Sequence, residues 1–162
     1  MKKLLVVVAA ALVSFAANAQ FYAGGMVGLD IYSANDDTTV SFNIAPELGY
    51  NVSEDLSVGL ALGYGTSKNL DAFAVTPYVR YYFCDLGNAR LFGDAYYSWQ
   101  QIKVAGYKND SSNIGVEAGI AYPLTNTVSL VTKFSGANYD LSNEIFDLDI
   151  LNTFSVGAFI SF

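Results

Sequence analysis

The residues with the clearest chemical potential are six charged side chains within stretches that alternate apolar and polar residues. Each lies on the polar face of its stretch: Glu47, Arg80, Arg90, Asp94, Glu117 and Lys133. Three acids and three bases sum to zero, which favours a network of ion pairs in a confined interior. We predict a pair between Glu117 and Lys133, and a cluster of Arg80 with Glu47 or Asp94.

Catalytic chemistry is disfavoured by composition. The chain contains no histidine, so Ser/His/Asp triads, Cys/His pairs and histidine-based metal sites are excluded. Glu47 and Asp94 could form a carboxylate pair, but both have basic residues nearby, which favours ion pairing over acid–base catalysis. Cys84, without a histidine to activate it, is expected as a small inward residue near one rim. The sequence therefore predicts no enzyme, no cofactor and no metal site.

Eight stretches position these side chains, and each alternates with the period of two that is typical of a β-strand. They cover about 20–31, 39–51, 56–67, 72–84, 89–101, 112–123, 127–138 and 154–162. Roughly 11 residues per stretch match the ~9–11 of a tilted strand that crosses a membrane, and bacterial barrels have an even strand number. We predict an all-β fold: an eight-stranded antiparallel transmembrane up-and-down β-barrel over residues 20–162.

The connections between these stretches predict an orientation. Those after stretches two, four and six are short, whereas 32–38, 68–71, 102–111 and 139–149 are mostly longer, polar loops. Short periplasmic turns and longer external loops are typical of outer-membrane barrels. The predicted external loops are acidic, with Asp30, Asp36, Asp37, Asp71, Asp110, Asp140, Glu144, Asp147 and Asp149 against Lys68, Lys103 and Lys108. This acidity indicates soluble loops, or a surface that holds divalent cations or an unknown basic partner.

Residues 1–19 have the features of a secretory signal peptide. Lys2 and Lys3 precede an apolar run of 14 residues, Leu4 to Ala17, and Ala17-Asn18-Ala19 forms a small-x-small cleavage site. Without Lys2 and Lys3, six basic residues remain against 15 acidic ones. So acidic a chain is not expected to bind nucleic acid, because it lacks the basic patch that phosphates require.

Outward aromatic residues supply an independent check on membrane crossing. Phe21, Tyr50, Phe83, Tyr122 and Phe162 are expected near the periplasmic rim, and Tyr64, Phe73 and Trp99 near the outer rim. Two such belts are expected at the membrane interfaces, where aromatic rings lie at headgroup level.

The chain resembles the small OmpA/OmpX-type outer-membrane barrels, the outer membrane protein β-barrel domain family. The resemblance depends on the opening Phe21-Tyr22-Ala23-Gly24-Gly25, on Pro77-Tyr78-Val79-Arg80-Tyr81-Tyr82-Phe83, on the eight alternating stretches and on the terminal Phe162. It implies location in the outer membrane of a Gram-negative bacterium, among its lipids and lipopolysaccharide. It also implies that the barrel-assembly machinery recognises Phe162, Ile160 and Ala158.

These observations predict an integral outer-membrane protein with a structural or surface-interaction role and an interior filled by side chains, since eight strands leave only enough width for side chains. Two alternatives remain open. One is a narrow channel or a transporter of small, even hydrophobic, solutes. The other is a secreted soluble barrel that binds a ligand inside, which would require the apolar faces to point inward.

Overall fold

The chain is described in a computed structural model over residues 20–34, 37–67, 70–104, 107–148 and 153–162. The predicted signal peptide, residues 1–19, lies outside these ranges, as do Asp36, Lys68 and Asp149 of the predicted acidic loops. Within the described ranges, no helix has the length and apolar character needed to span a membrane.

Nine β-strands form in these ranges. They are β1 (Phe21–Ala34), β2 (Asp37–Asn51), β3 (Leu56–Ser67), β4 (Leu70–Leu86), β5 (Ala89–Val104), β6 (Tyr107–Pro123), β7 (Val128–Asp140), β8 (Ile145–Leu148) and β9 (Thr153–Ser161). Each of the eight predicted stretches overlaps one of the longer strands, and the four-residue β8 is additional. The alternating pattern therefore located each of the eight longer strands.

The strands close into an eight-stranded antiparallel barrel, which confirms the predicted fold class. Strands β1 to β7 pair in chain order, and β9 joins the two ends of the sheet. It pairs with β1 from Tyr22↔Ser161 to Asp30↔Thr153, and with β7 from Val128↔Ile160 to Phe134↔Phe154. We call the end that carries Gln20 and Phe162 the periplasmic end, following the predicted orientation, and the opposite end the outer end.

The prediction of long outer loops was largely wrong. Most residues of 32–38, 68–71 and 102–111 belong to strands, and just two residues separate β1 from β2, β3 from β4 and β5 from β6. An antiparallel ladder can extend beyond the membrane because its hydrogen bonds join backbone groups and do not require apolar side chains. Polar composition at the outer end thus did not indicate irregular backbone.

The predicted loop 139–149 is also a hairpin over its described residues. β8 pairs with the outer end of β7, from Ala137↔Leu148 to Asp140↔Ile145. Asp140 closes the turn by accepting hydrogen bonds from the backbone of Ser142 at 2.7 Å and from the Asn143 side chain at 2.9 Å. The hydrogen bonds from Asn143 and Ser142 lower the pKa of Asp140, which lies beyond the membrane-spanning part of β7.

Glycines inside the barrel make room for large side chains on the neighbouring strand. Gly59 lies directly opposite Tyr78, and a Cβ atom at Gly59 would clash with the tyrosine ring. The same relation holds for Gly49 and Tyr22, Gly119 and Phe92, Gly115 and Tyr96, Gly24 and Phe159, and Gly157 and Met26. Small and large residues thus alternate around the wall, which fills a narrow lumen.

A β-bulge corrects the predicted position of Cys84. The β4–β5 register shifts between Tyr82 and Cys84, so Cys84 pairs with the outward Leu91 instead of continuing the inward row. Cys84 is exposed, contrary to the predicted inward placement. A strict period of two cannot reveal such a shift because one extra residue reverses the face of everything that follows.

Candidate functional site

The centre of the barrel contains a bidentate ion pair between neighbouring strands. Arg80 on β4 and Asp94 on β5 are direct cross-strand partners. Arg80 Nε and Nη2 donate hydrogen bonds to Asp94 Oδ1 and Oδ2, both at 2.8 Å. Each residue is 1% exposed. A buried planar guanidinium with both carboxylate oxygens in place is the strongest common form of side-chain ion pair in proteins.

Two further strands bring charges to this pair across the lumen. Lys133 on β7 donates a hydrogen bond to Glu47 on β2 at 2.8 Å, and its Nζ lies 3.3 Å from Asp94 Oδ2. Glu47 Oε2 lies 3.7 Å from Arg80 Nη2. Because β1 and β9 separate β2 from β7 around the wall, the contact between Glu47 and Lys133 crosses the interior.

Glu117 is the most exposed acid in this group of charges. We call the group the central cluster and define it as Glu47, Arg80, Asp94, Glu117 and Lys133. Its Oε1 lies 3.0 Å from Lys133 Nζ, and its side chain is 24% exposed, against 2% for Glu47 and 0% for Asp94. The predicted partners Glu117 and Lys133, and Arg80 with both Glu47 and Asp94, therefore lie together in the structure.

Aromatic rings pack around the cationic side of the central cluster. The Arg80 guanidinium lies 4.1 Å from the centroid of the Phe92 ring and 5.1 Å from that of Tyr78. The Tyr78 hydroxyl lies 2.9 Å from the Tyr22 hydroxyl. Cation–π contacts of this kind strengthen when the cation is removed from water, and Phe92 is fully buried.

Arg90 does not belong to this cluster, contrary to prediction. It lies at the periplasmic mouth, where its Nη2 contacts Asp55 at 2.7 Å and its Nε contacts Asp85 at 3.0 Å. Its position one residue after the start of β5 keeps it too near the rim to reach Asp94. The central cluster therefore holds three acids and two bases, so the predicted neutral sum is wrong by one charge when all five groups are ionised.

The periplasmic mouth opens into a cavity of about 520 Å³. Its lining includes Tyr22, Arg80, Val131 and Phe159, the deepest side chains of the lumen on this side. Each of these four residues is 5% exposed or less. The cavity therefore reaches the charged and aromatic layer from the periplasmic end.

The outer face of the barrel is apolar, as membrane insertion requires. Exposed side chains on it include Val27, Ile44, Leu60, Val79, Val116 and Ile160, each 42–53% exposed. The charged cluster lies on the opposite, inward face. A soluble ligand-binding barrel would need its apolar faces to point inward. The observed arrangement of the two faces is the opposite, which disfavours that alternative.

The predicted interfacial aromatics occupy this outward face near the strand ends. Tyr64, Phe73, Phe83, Trp99 and Tyr122 are 36–57% exposed, and the rings of Phe21 and Tyr50 lie 4.8 Å apart at the periplasmic rim. Sequence reasoning missed Tyr139 and Phe146, which are paired in register at the outer end. Their alternation was the available signal, but it was interpreted as part of a loop.

The closing strand places the predicted assembly signal at the barrel seam. Ile160 is 48% exposed on the outward face, and Ala158 lies on the same face. The Phe162 amide donates a hydrogen bond at 2.9 Å to the carbonyl of Phe21, the first residue of β1. Recognition of these residues by the assembly machinery remains a prediction.

Within the described part of the chain, no group of three or more cysteines or carboxylates has a metal-binding arrangement. The carboxylates of the central cluster instead direct their oxygens to Arg80 and Lys133. These groups are arranged for mutual neutralisation, which suits a structural role.

The closed antiparallel sheet, the apolar outer face and the charged interior define a small transmembrane β-barrel of the outer-membrane type. The outer membrane protein beta-barrel domain family matches residues 4–162, and the chain belongs to this family. This confirms the resemblance found in the sequence and indicates the outer membrane of Gram-negative bacteria.

Solved structures show the same fold at low sequence identity. Neisserial surface protein A is 18% identical, with a TM-score of 0.65 over 88% of this chain and 97% of that chain. The N-terminal barrel of Pseudomonas aeruginosa OprF is 15% identical, with a TM-score of 0.64 over 88% and 98%. A de novo designed transmembrane barrel is 14% identical, with a TM-score of 0.50 over 89% and 96%. No curated protein sequence matched.

Proposed function

We propose that this protein is a non-enzymatic, non-conducting barrel that serves the outer membrane as a structural and surface-interaction element. The observation that carries the proposal is the central cluster, in which ion pairs cross the lumen between Glu47 and Lys133. The burial of Arg80 and Asp94, each 1% exposed, supports a lumen that is closed at this level. With a closed lumen, interactions with other molecules would take place on the outer hairpins and the lipid-facing wall.

The same proposal includes the route to the membrane. Export through the periplasm after cleavage behind Ala19 supplies the unfolded chain, and the assembly machinery recognises the closing strand that ends in Phe162. The apolar outward positions of β9, Phe154, Val156 and Ile160, support this role because they form an exposed stripe next to β1.

Solute flux into liposomes tests the proposal. Purified barrel is reconstituted into vesicles, and swelling in isotonic arabinose is compared with that of empty vesicles and of vesicles with a general porin. We expect swelling at the rate of empty vesicles. Swelling that increases with the amount of folded barrel would instead support the narrow channel or transporter.

A further inference from the structure

The lipid-facing wall formed by β5, β6, β7 and β8 is not uniformly convex. A groove with a volume of about 390 Å³ lies near its outer end. Its lining contains one row of Ala95, Val116 and Ala137, which we call the floor, and a row of larger side chains toward the outer end, Ile114, Tyr139 and Phe146, which we call the rim. Ile114, Tyr139 and Phe146 lie in one row across three strands, which fixes the rim to the barrel wall.

The groove faces the outer leaflet of the membrane. Its rim side chains belong to the outward face, since Ile114 is 45% and Phe146 is 64% exposed. Trp99, which we assigned to the outer aromatic belt, lies on the neighbouring strand two residues beyond Tyr97, the register partner of Ile114. At this depth the groove meets lipid acyl chains, and its floor offers them no charged group.

Above the groove, the same wall presents two lysines directly opposite each other. Lys103 on β5 pairs in register with Lys108 on β6, and both are exposed. They share the outward face with Trp99, because Lys103 follows it by four residues, or about 13 Å along the strand. Like charges directly opposite each other destabilise a sheet, so this pair gains from an anion that lies between the two ammonium groups.

The two neighbouring acids, Asp71 and Asp110, form no ion pair with these lysines. Asp71 is the register partner of Lys103 on β4, but its carboxylate accepts a hydrogen bond from Thr66 at 3.2 Å. Asp110 accepts one from Gln101 at 3.0 Å. Among the described residues, no carboxylate lies within ion-pair distance of either lysine. Both ammonium groups are therefore available to a ligand.

We propose that this wall binds an outer-leaflet glycolipid with a phosphorylated headgroup, its acyl chain in the groove and its phosphate between Lys103 and Lys108. Lipids of the lipopolysaccharide class have this chemistry. Lysine side chains can bend toward the membrane interface along their apolar stems, and two charge-assisted hydrogen bonds would hold the phosphate. The inference rests on the proposed transmembrane role and adds a specific ligand class to it.

Native mass spectrometry of the folded barrel in detergent micelles tests the site. Wild-type protein, the K103Q/K108Q variant and the control R90Q are titrated with diphosphoryl lipid A and with its dephosphorylated form. We expect K103Q/K108Q to bind diphosphoryl lipid A about tenfold more weakly, the scale of two exposed ionic contacts. R90Q, with a charge change at the periplasmic mouth, should bind as wild type does, and the dephosphorylated lipid should not distinguish the variants.

A second pair of variants tests the groove. Ala137→Leu fills its floor, whereas Ala118→Leu adds the same volume at an exposed position outside it. We expect Ala137→Leu, but not Ala118→Leu, to weaken lipid A binding by about threefold, because the leucine side chain displaces part of the acyl chain from the groove. Equal binding by wild type and K103Q/K108Q, or equal effects of the two leucine variants, would overturn the site. Because binding is measured in micelles, this result is independent of whether the barrel conducts.

Discussion

At the scale of single residues, the central cluster combines tight pairing with an excess of one acid. Asp94 is the most constrained member. Its carboxylate accepts hydrogen bonds from Nε and Nη2 of Arg80, and its Oδ2 also lies 3.3 Å from Lys133 Nζ. Glu117 is the least constrained, with one lysine contact and a partly exposed side chain. The two acids should therefore respond very differently to neutralisation.

We predict that Asp94→Asn destabilises the barrel by about 1.5–3 kcal/mol, because the amide group of asparagine would turn a donor toward one of the two Arg80 donors that Asp94 accepts. Glu117→Gln should change the free energy of unfolding by less than about 1 kcal/mol, because it removes the excess negative charge of the cluster at its most exposed acid. Urea unfolding in lipid vesicles, followed by the fluorescence of the single tryptophan Trp99, measures both. Equal destabilisation by the two variants would show that Glu117 is as tightly held as Asp94.

A second residue-scale prediction concerns the match of small and large residues. Gly59→Ala places a methyl group against the Tyr78 ring and should cost about 1–3 kcal/mol, as overpacking does. Gly65→Ala on the same strand is the matched control. Its new Cβ atom would lie 3.7 Å from Asn43 Cβ, its nearest neighbour, which is ordinary van der Waals contact. The same urea titration compares them. If Gly65→Ala is as harmful as Gly59→Ala, steric fit to Tyr78 is not the reason for the glycine.

At the scale of elements, two prolines, Pro46 on β2 and Pro77 on β4, interrupt ladders within the wall. The β4–β5 pairing skips Thr76 and Pro77 between Val75↔Trp99 and Tyr78↔Tyr96, with the register unchanged. Proline cannot donate to a ladder, and hydrocarbon offers no substitute donor. The Thr76 and Ser98 hydroxyls lie 2.8 Å apart at this gap, which adds a side-chain link between the strands.

We predict that Pro77→Ala restores a ladder hydrogen bond and stabilises the barrel by about 1 kcal/mol. It should also slow amide hydrogen exchange in the adjoining residues of β4 and β5. Pro123→Ala, at the end of β6, should leave both quantities unchanged. Faster exchange in Pro77→Ala would mean that the interruption itself stabilises the local structure.

How far the sequence predicts these elements depends on whether the period of two is unbroken. The inward positions of Glu47, Arg80, Asp94 and Lys133 follow directly from alternation, because one face of each strand must be apolar to meet lipid. Cys84 could not be placed in this way, since the bulge before it leaves no mark in the hydrophobic pattern. Contacts across the lumen were equally hidden, because alternation gives the face of a residue but not its partner on the facing wall. Arg90 was grouped with the network by its face alone, although its position one residue into β5 places it at the rim.

β8 shows the other limit of sequence reasoning. Phe146 and Leu148 alternate with Ile145 and Asp147, but four residues next to acidic turn residues are too short a signal to distinguish a strand from a loop. Only the pairing with β7 defines β8 as a strand. The groove that it helps to form was therefore invisible at the sequence level.

At the scale of the whole molecule, strands β1 to β7 and β9 form a closed sheet in which each strand is paired on both sides. Such a barrel should stay folded in detergent. We predict that unboiled protein from the outer-membrane fraction migrates differently from boiled protein on an SDS gel. Recovery as a soluble protein without such a shift would contradict membrane insertion and reverse the assignment of the two faces.

The central claim is that ionic and aromatic side chains seal the lumen, and single-channel recording in planar lipid bilayers tests it most directly. Folded wild-type barrel should give no stable unitary conductance, because the contact between Glu47 and Lys133 crosses the interior. The variant Lys133→Ala removes that contact and serves as the comparison, with conductance events expected only there. Stable openings of the wild-type barrel, at a level that Lys133→Ala leaves unchanged, would show that the cluster does not close the lumen.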